Sequence, residues 1–388
     1  MNRPIYLDYN ATTPCDPRVL ESMLPYFGVH YGNPASRDHF MGWEAEDSVQ
    51  NWKEELAKLF KGKPDGVIYT SGATESVNLA LKGLVENAGK GKNHIITCQT
   101  EHQAVLDTCA FLESKGVKVT YLKVDRLGNI SLDDLEALID EATICVALMY
   151  ANNETGIIHP IKEISEITRR KGTLLFCDAT QALGKIPVNV REEGIDMMAF
   201  SAHKMYGPKG VGGLYVNQKS IGSNISPLIH GGKHQKGLRS GTLNVPGIVG
   251  LGYAAMLSKK VMEDEMARLT ALRDRIEDVL VGEIEGVSVN GTGNRLAHVS
   301  NLVIAGINAE KLLLSLSKDL ALSKGSACAS LIHKPSHVLR AMGLSDMDAL
   351  GSIRISLGRF TTAEDIDMAL EKLVAGIKAQ QQSKAATV

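Results

Sequence analysis

Asp178-Ala179-Thr180-Gln181 follows the apolar run 173–176, and Ser201-Ala202-His203-Lys204 follows the apolar run 195–200. The two runs read as adjacent strands, one ending in a carboxylate and the next in an amine. Working outward, residues 67–70, 94–97, 117–122, 143–150 and 211–216 read as further strands. Helical spacing fills 76–85, 132–139 and 161–170 between them. Alternation of this kind predicts a mostly parallel sheet covered by helices. Near residue 246 the character changes. A long helical pattern occupies about 248–284, strands are expected at 299–304 and 352–357, and the capping box Thr361-Thr362-Ala363-Glu364 opens a last helix to about 379. The polar tail 380–388 reads as frayed.

The chain has 388 residues, enough for two or three domains with ample core. Its 42 basic and 44 acidic residues leave a formal net charge of −2. That balance gives no reason to expect nucleic acid or an anionic membrane as a partner. The N-terminus lacks an apolar signal core, and no run approaches the ~20 apolar residues of a membrane helix, so a cytoplasmic protein is expected. None of the six cysteines forms a CxxC pair, which weakens zinc and thioredoxin-like readings. Cys98, Cys145 and Cys177 lie inside apolar runs and read as buried small hydrophobes.

An acid at one strand end and a lysine at the next suit pyridoxal 5′-phosphate (PLP). A lysine amine binds this cofactor as a Schiff base, and a carboxylate partners its pyridinium nitrogen. Singly, Asp178 is also a natural helix N-cap and Lys204 a solvated loop cation; together, each after an apolar strand, they favour function. Ser71-Gly72-Ala73-Thr74 joins a strand to a helix. Such a junction binds phosphate through backbone N–H groups and the helix dipole, or is simply a capped turn. His102, at a strand end, is either a ring-stacking proton carrier or a surface histidine. Asn152-Asn153-Glu154-Thr155-Gly156 offers amides to a ligand or makes a turn. The glycine-rich basic stretch 230–242 is a solvated loop or an ordered one that completes an anion site. Cys328, in Gly325-Ser326-Ala327-Cys328-Ala329-Ser330, has small polar neighbours that suit a reactive thiol or an ordinary loop cysteine. Arg354 shares a strand face with Ser352 and Ser356, either to clamp a carboxylate or to form a structural ion pair.

Across nearly its whole length the chain resembles the cysteine desulfurases of the NifS/IscS type, in the class V aminotransferase group of fold-type I PLP enzymes. The resemblance is carried by residues 6–13, Tyr31-Gly32-Asn33-Pro34, 151–156, Ser201-Ala202-His203-Lys204, Arg239-Ser240-Gly241-Thr242, Gly325-Ser326-Ala327-Cys328 and 352–360. It implies an α/β fold: a large PLP-binding domain over 15–255 with a mostly parallel seven-stranded sheet, and a smaller α+β domain, 1–14 and 256–388, carrying the cysteine loop. It also implies residue roles. Lys204 holds PLP and moves the substrate's Cα proton. Asp178 meets the pyridinium nitrogen, Gln181 the ring hydroxyl, and His102 stacks on the ring as an acid/base. Ala73, Thr74, Ser201 and His203 bind the phosphate, and Thr242 reaches the phosphate of the partner subunit in a homodimer. Asn153 and Arg354 hold the substrate carboxylate. Cys328 takes sulfur from L-cysteine as a persulfide, leaves L-alanine, and passes the sulfur to an iron–sulfur scaffold protein or to tRNA thiolation. The resemblance implies no resident metal, although Cys328 is a candidate transient iron–sulfur ligand in a scaffold complex.

Departures from the pattern are few. Tyr9 replaces a usual Asn or Ser, Lys324 replaces a small residue and is placed to lower the Cys328 pKa, and 331–334 is more apolar and basic than usual. An aminotransferase, a selenocysteine lyase and a non-catalytic binding platform are the competing readings. Retention of both Lys204 and Cys328 argues against the platform.

Overall fold

The computed structural model describes residues 3–221, 224–325 and 334–385. Its strands are β1 (Ile5–Tyr6), β2 (Val67–Thr70), β3 (His94–Cys98), β4 (Lys118–Leu122), β5 (Thr143–Met149), β6 (Leu174–Asp178), β7 (Met197–Ser201), β8 (Gly212–Val216), β9 (Val287–Val289), β10 (Val299–Ile304), β11 (Leu320–Ala321) and β12 (Ser352–Ser356). Seven of them form one sheet in the order β2-β8-β7-β6-β5-β3-β4. The pairs β7–β6, β6–β5, β5–β3 and β3–β4 are parallel, and only β8 runs against the rest. The mostly parallel sheet expected from the alternation is therefore present. All seven residues of β5 are buried, as a strand covered on both faces requires.

Helices cover the sheet on both sides, and two apolar clusters fill the layers. One gathers Leu148, Leu175, Met198 and Phe200; the other gathers Val77, Leu81, Val105, Phe176 and Leu214. The long helix Val245–Glu283 feeds two cores. Ile248, Val249 and Leu251 pack into the large sheet's cluster, whereas Leu272, Ile276 and Leu280 join a separate cluster with Leu302, Ile353, Ile366 and Leu373. Its 39 residues span roughly 58 Å at 1.5 Å per residue. The separate cluster is built around the antiparallel sheet β12-β10-β9. The N-terminus reaches it too: β1 pairs with β11, and Leu7 is fully buried in that cluster.

One expectation is corrected. The last helix runs Ala363–Ala385, past 379 and into the tail read as frayed. Two glutamines anchor the added turn. Gln380 Oε1 accepts the N–H of Asn308, and Gln381 Nε2 donates to the carbonyls of Glu285 and Ala305. Polar composition misled here because the polar groups find main-chain partners on the neighbouring elements. Among the described residues, no helix is long and apolar enough to cross a membrane.

Candidate active site

The strands β2, β3, β5, β6 and β7 run in one direction, so their last residues, Thr70, Cys98, Met149, Asp178 and Ser201, lie along one sheet edge. Ligands of open α/β sheets collect there. A cavity of about 450 Å3 opens at this edge. It is lined by Ala73, Thr74, His102, Asn153, Asp178, Gln181, Ser201, His203, Lys204 and Arg354 among others. Thr242 lies outside this lining and is exposed on the surface of this chain. Cys328 falls outside the described residues.

Asp178 ends β6 with its carboxylate fixed from one side. The N–H and the hydroxyl of Thr180 both donate to Oδ1, at 3.0 and 2.5 Å, so Oδ2 keeps its acceptor capacity. Lys204 follows β7 in a short 3-10 turn. Its Nζ donates to the carbonyls of Asn10 and Ala11 at 2.5 and 2.7 Å. Burial, then the nearby Arg354 guanidinium, lowers its pKa from 10.5 to about 8, with Asp8 and Asp178 opposing. A buried lysine of this kind supplies the neutral amine that Schiff-base chemistry needs.

The helix Ala73–Glu86 starts at the cavity wall with Gly72 as its N-cap and no side-chain cap. Its first N–H groups therefore meet no side chain of the cap residue, and its dipole favours an anion at this end. Glu75, in the same turn, is turned aside: Oε2 accepts the N–H of Ser71, and Oε1 pairs with Arg239 at 2.9 Å. Thus the basic loop is ordered. Arg239 holds Glu75, and the Gln235 side chain pairs with the main chain of Tyr69, closing the open edge of β2.

His102 caps the helix Gln103–Glu113. Its Nδ1 accepts the N–H of Ala104 at 3.1 Å, so the neutral ring carries its proton on Nε2. Burial lowers its pKa, and Asp178 pulls the other way. Below it, Glu101 is fully buried, with Oε1 accepting the N–H of Met149 and Oε2 without a partner. Burial pushes the Glu101 carboxyl well above the ordinary range and favours the neutral acid.

The doubled asparagine divides its labour. Asn152 makes the turn: Oδ1 accepts from the N–H groups of Glu154 and Thr155 and from the Thr155 hydroxyl, while Nδ2 donates to the carbonyl of Thr100. Asn153 lines the cavity. Arg354 forms the structural ion pair that was one of its two readings. It lines the cavity, yet Nη2 pairs with Asp8 at 2.6 Å and Nη1 donates to the carbonyls of Asn153 and Gly325. Its Nε is buried without a partner. Lys324 pairs with Glu310 at 3.2 Å; its proposed effect on Cys328 concerns a residue outside those described. Cys98, Cys145 and Cys177 are buried as expected, and Cys109 is buried with them.

Sequence reasoning missed Asn10 and Thr180 as site residues. Asn10 is a junction: its carbonyl accepts from Lys204 and from Gln181, its Nδ2 donates to the carbonyl of Asn153, and its Oδ1 meets His298. No local pattern announces such long-range contacts. Thr180 had a signal, since a threonine two residues after an aspartate often closes a local side-chain turn.

Comparison with known proteins agrees with this geometry. The family profile described as Aminotransferase class-V matches residues 5–369. A protein named cysteine desulfurase IscS from Anaeromyxobacter dehalogenans (strain 2CP-C) is 49% identical over 372 residues, 95% of this chain and 91% of its own length. The protein of the same name from Rickettsia felis (strain ATCC VR-1525 / URRWXCal2) is 46% identical over 377 residues, 97% and 92% of the two chains. Among solved structures, a NifS-like protein superposes with a TM-score of 0.90 at 38% identity, covering 97% of this chain and 100% of that one. The structure titled SspA in complex with cysteine gives a TM-score of 0.81 at 36% identity, covering 93% and 100%. A sheet whose carboxyl edge joins Asp178, Lys204 and an uncapped helix N-terminus, matched end to end by this profile, establishes that the chain belongs to the class-V aminotransferase family.

Proposed function

We propose that this chain is a PLP-dependent cysteine desulfurase, converting L-cysteine and a thiol into L-alanine and a persulfide on Cys328. The observation that carries the reading is the convergence of Lys204, Asp178 and the uncapped N-terminus of Ala73–Glu86 on one cavity. The donor set fits PLP: an amine of lowered pKa for the aldehyde, a carboxylate with a spare oxygen for the ring nitrogen, and helix N–H groups beside the Thr74 and Ser201 hydroxyls for the phosphate.

Bound PLP supplies an electron sink for the bonds at the substrate's Cα. The protein's residues do the rest. Ala73, Thr74, Ser201 and His203 would hold the phosphate, and Gln181 would meet the ring oxygen. His102, with its proton on Nε2, would stand beside the ring as a proton carrier. Asn153 and Arg354 receive the substrate carboxylate; because both terminal nitrogens of Arg354 are already bonded, a carboxylate there shares or displaces an acceptor. Lys204, an amine of lowered pKa, would move the Cα proton. The Cys328 thiolate then forms an S–S bond with the substrate sulfur while the substrate's C–S bond breaks. The balance is L-cysteine plus Cys328–SH giving L-alanine plus Cys328–S–SH.

The two apolar clusters joined by Val245–Glu283 support a division into a large domain, 15–255, and a small domain, 1–14 with 256–388. A homodimer is part of the reading. Its support is that Leu20, Leu24, Phe27, Val29, Tyr31, Phe40 and Trp43 are all exposed in this single chain, a concentration of apolar surface suited to a partner. In that dimer Thr242 serves the partner's phosphate site. The sulfur goes to an iron–sulfur scaffold or another sulfur acceptor in the cytoplasm.

The test is direct. Purified protein, supplied with L-cysteine and a reductant, is expected to release alanine and sulfide in equal amounts, and Cys328→Ala neither. Full turnover by Cys328→Ala would refute the thiol's role. Turnover that needs a 2-oxo acid would assign an aminotransferase instead.

A further inference from the structure

Gln181 and Lys185 stand one turn apart in the bend that follows β6. Between them Gly184 has a φ of +80°, and a Cβ there would lie 2.8 Å from the Cβ of Met205, so the bend is made for glycine. Lys185 Nζ donates to Gln181 Oε1 at 2.6 Å, and Gln181 Nε2 donates to the carbonyl of Asn10 at 3.0 Å. A main-chain carbonyl only accepts, which fixes the nitrogen end of the amide. The amine donor at the other end fixes the oxygen. Gln181 lines the cavity, and Asn10 uses one of its two N–H groups.

We propose that Lys185 is a positioning residue for the cofactor's ring oxygen, holding the Gln181 amide so that its second N–H, not its oxygen, is offered to the cavity. The inference rests on the reading of the cavity as a PLP site. Without the Lys185 contact the orientation rests on the Asn10 carbonyl alone, and a rotated amide would set lone pairs against an anionic ring oxygen. The groups around Lys185 are Lys204, Arg354, His203 and His298, with Glu265 on the wall of the same small cavity. Burial, then Lys204 and Arg354, pushes its pKa well down. The amine donates to Oε1 in either protonation state, so the arrangement does not depend on its charge.

The experiment compares wild type, Lys185→Met, Lys185→Arg, Gln181→Leu and the Gln181→Leu/Lys185→Met double variant. Two readouts are independent of turnover: the dissociation constant for PLP added to apoprotein, and the pH midpoint of the bound cofactor's visible band. An N–H at the ring oxygen stabilises the more anionic, high-pH form, so losing it raises the midpoint. Lys185→Met is expected to raise the midpoint by about one pH unit and weaken PLP binding ~10-fold, the scale of one charge-assisted hydrogen bond. Lys185→Arg, which keeps a donor, should return both to near wild type. In the Gln181→Leu background, Lys185→Met should add almost nothing, because it acts through Gln181. Additive shifts, or an unmoved midpoint in folded Lys185→Met, would overturn the proposal. If Lys185→Met fails to fold, Lys185→Leu, which likewise carries no donor, replaces it under the same criteria. Wild-type protein that binds no PLP would overturn the cofactor reading itself, a result distinct from all of these.

Discussion

The Nζ of Lys204 lies 2.5 Å from the carbonyl oxygen of Asn10, although 194 residues separate them in sequence. The N-terminal segment therefore forms part of the cavity wall, and Lys204 is tethered to main chain that belongs to neither strand motif. The tether holds the amine while burial beside Arg354 weakens its grip on the proton.

That weakening gives the first prediction. Only the neutral amine attacks the cofactor's aldehyde. With the pKa lowered from 10.5 to about 8, the rate of PLP incorporation into apoprotein should rise with pH and level off just above pH 8. Stopped-flow growth of the visible band measures it. A rate that climbs without levelling toward the ordinary lysine range would show Lys204 to be an unperturbed amine.

Asn152 and Asn153 should part company under mutation. Asn152→Ala removes an amide that accepts three hydrogen bonds within its turn. A loss of about 2–3 kcal/mol is expected, seen as a lower urea midpoint. Asn153→Ala, whose main-chain carbonyl still serves Asn10 and Arg354, should leave the midpoint nearly unchanged and raise KM for L-cysteine. The reverse pattern would place the functional amide at 152.

The strand–helix alternation made the large sheet legible in the sequence, because strands buried on both faces read as continuous apolar runs between helices. Asp178 and Lys204 were legible for the same reason: each follows such a run. Asn10, Lys185 and the raised pKa of Glu101 were not. Asn10 acts through its main-chain carbonyl, which every residue has, and Glu101 looks like any loop acid until burial is known. The anchored glutamines 380 and 381 were misread because composition reports polarity and not whether a main-chain partner lies nearby.

Glu101 carries a pH prediction with a definite sign. Its folded pKa is raised above 4.5 by burial, so the stability tied to its proton is complete below pH 4.5 and declines as pH rises toward the folded pKa. Glu101→Gln keeps a neutral, similarly shaped side chain without that decline. The variant should match wild type near pH 4 and gain on it as pH increases, by at most about 1.4 kcal/mol per pH unit. Urea unfolding at several pH values tests this. A constant difference between the two proteins would mean that Glu101 is ionised in the fold.

The Asp178 carboxylate and the Thr180 hydroxyl form a graded pair. Asp178→Asn removes the charge proposed to keep the ring nitrogen protonated and should lower kcat for alanine formation by ~1000-fold, the scale of losing a preorganised electrostatic contact. Thr180→Val removes one of two donors to Oδ1 and leaves the main-chain N–H in place. It should cost ~10-fold in kcat, as one hydrogen bond to a charged group does, with PLP still bound. Equal losses in the two variants would show that the threonine supports the fold of the bend and not the orientation of the carboxylate. An unchanged rate in Thr180→Val would leave the main-chain N–H as the sufficient anchor.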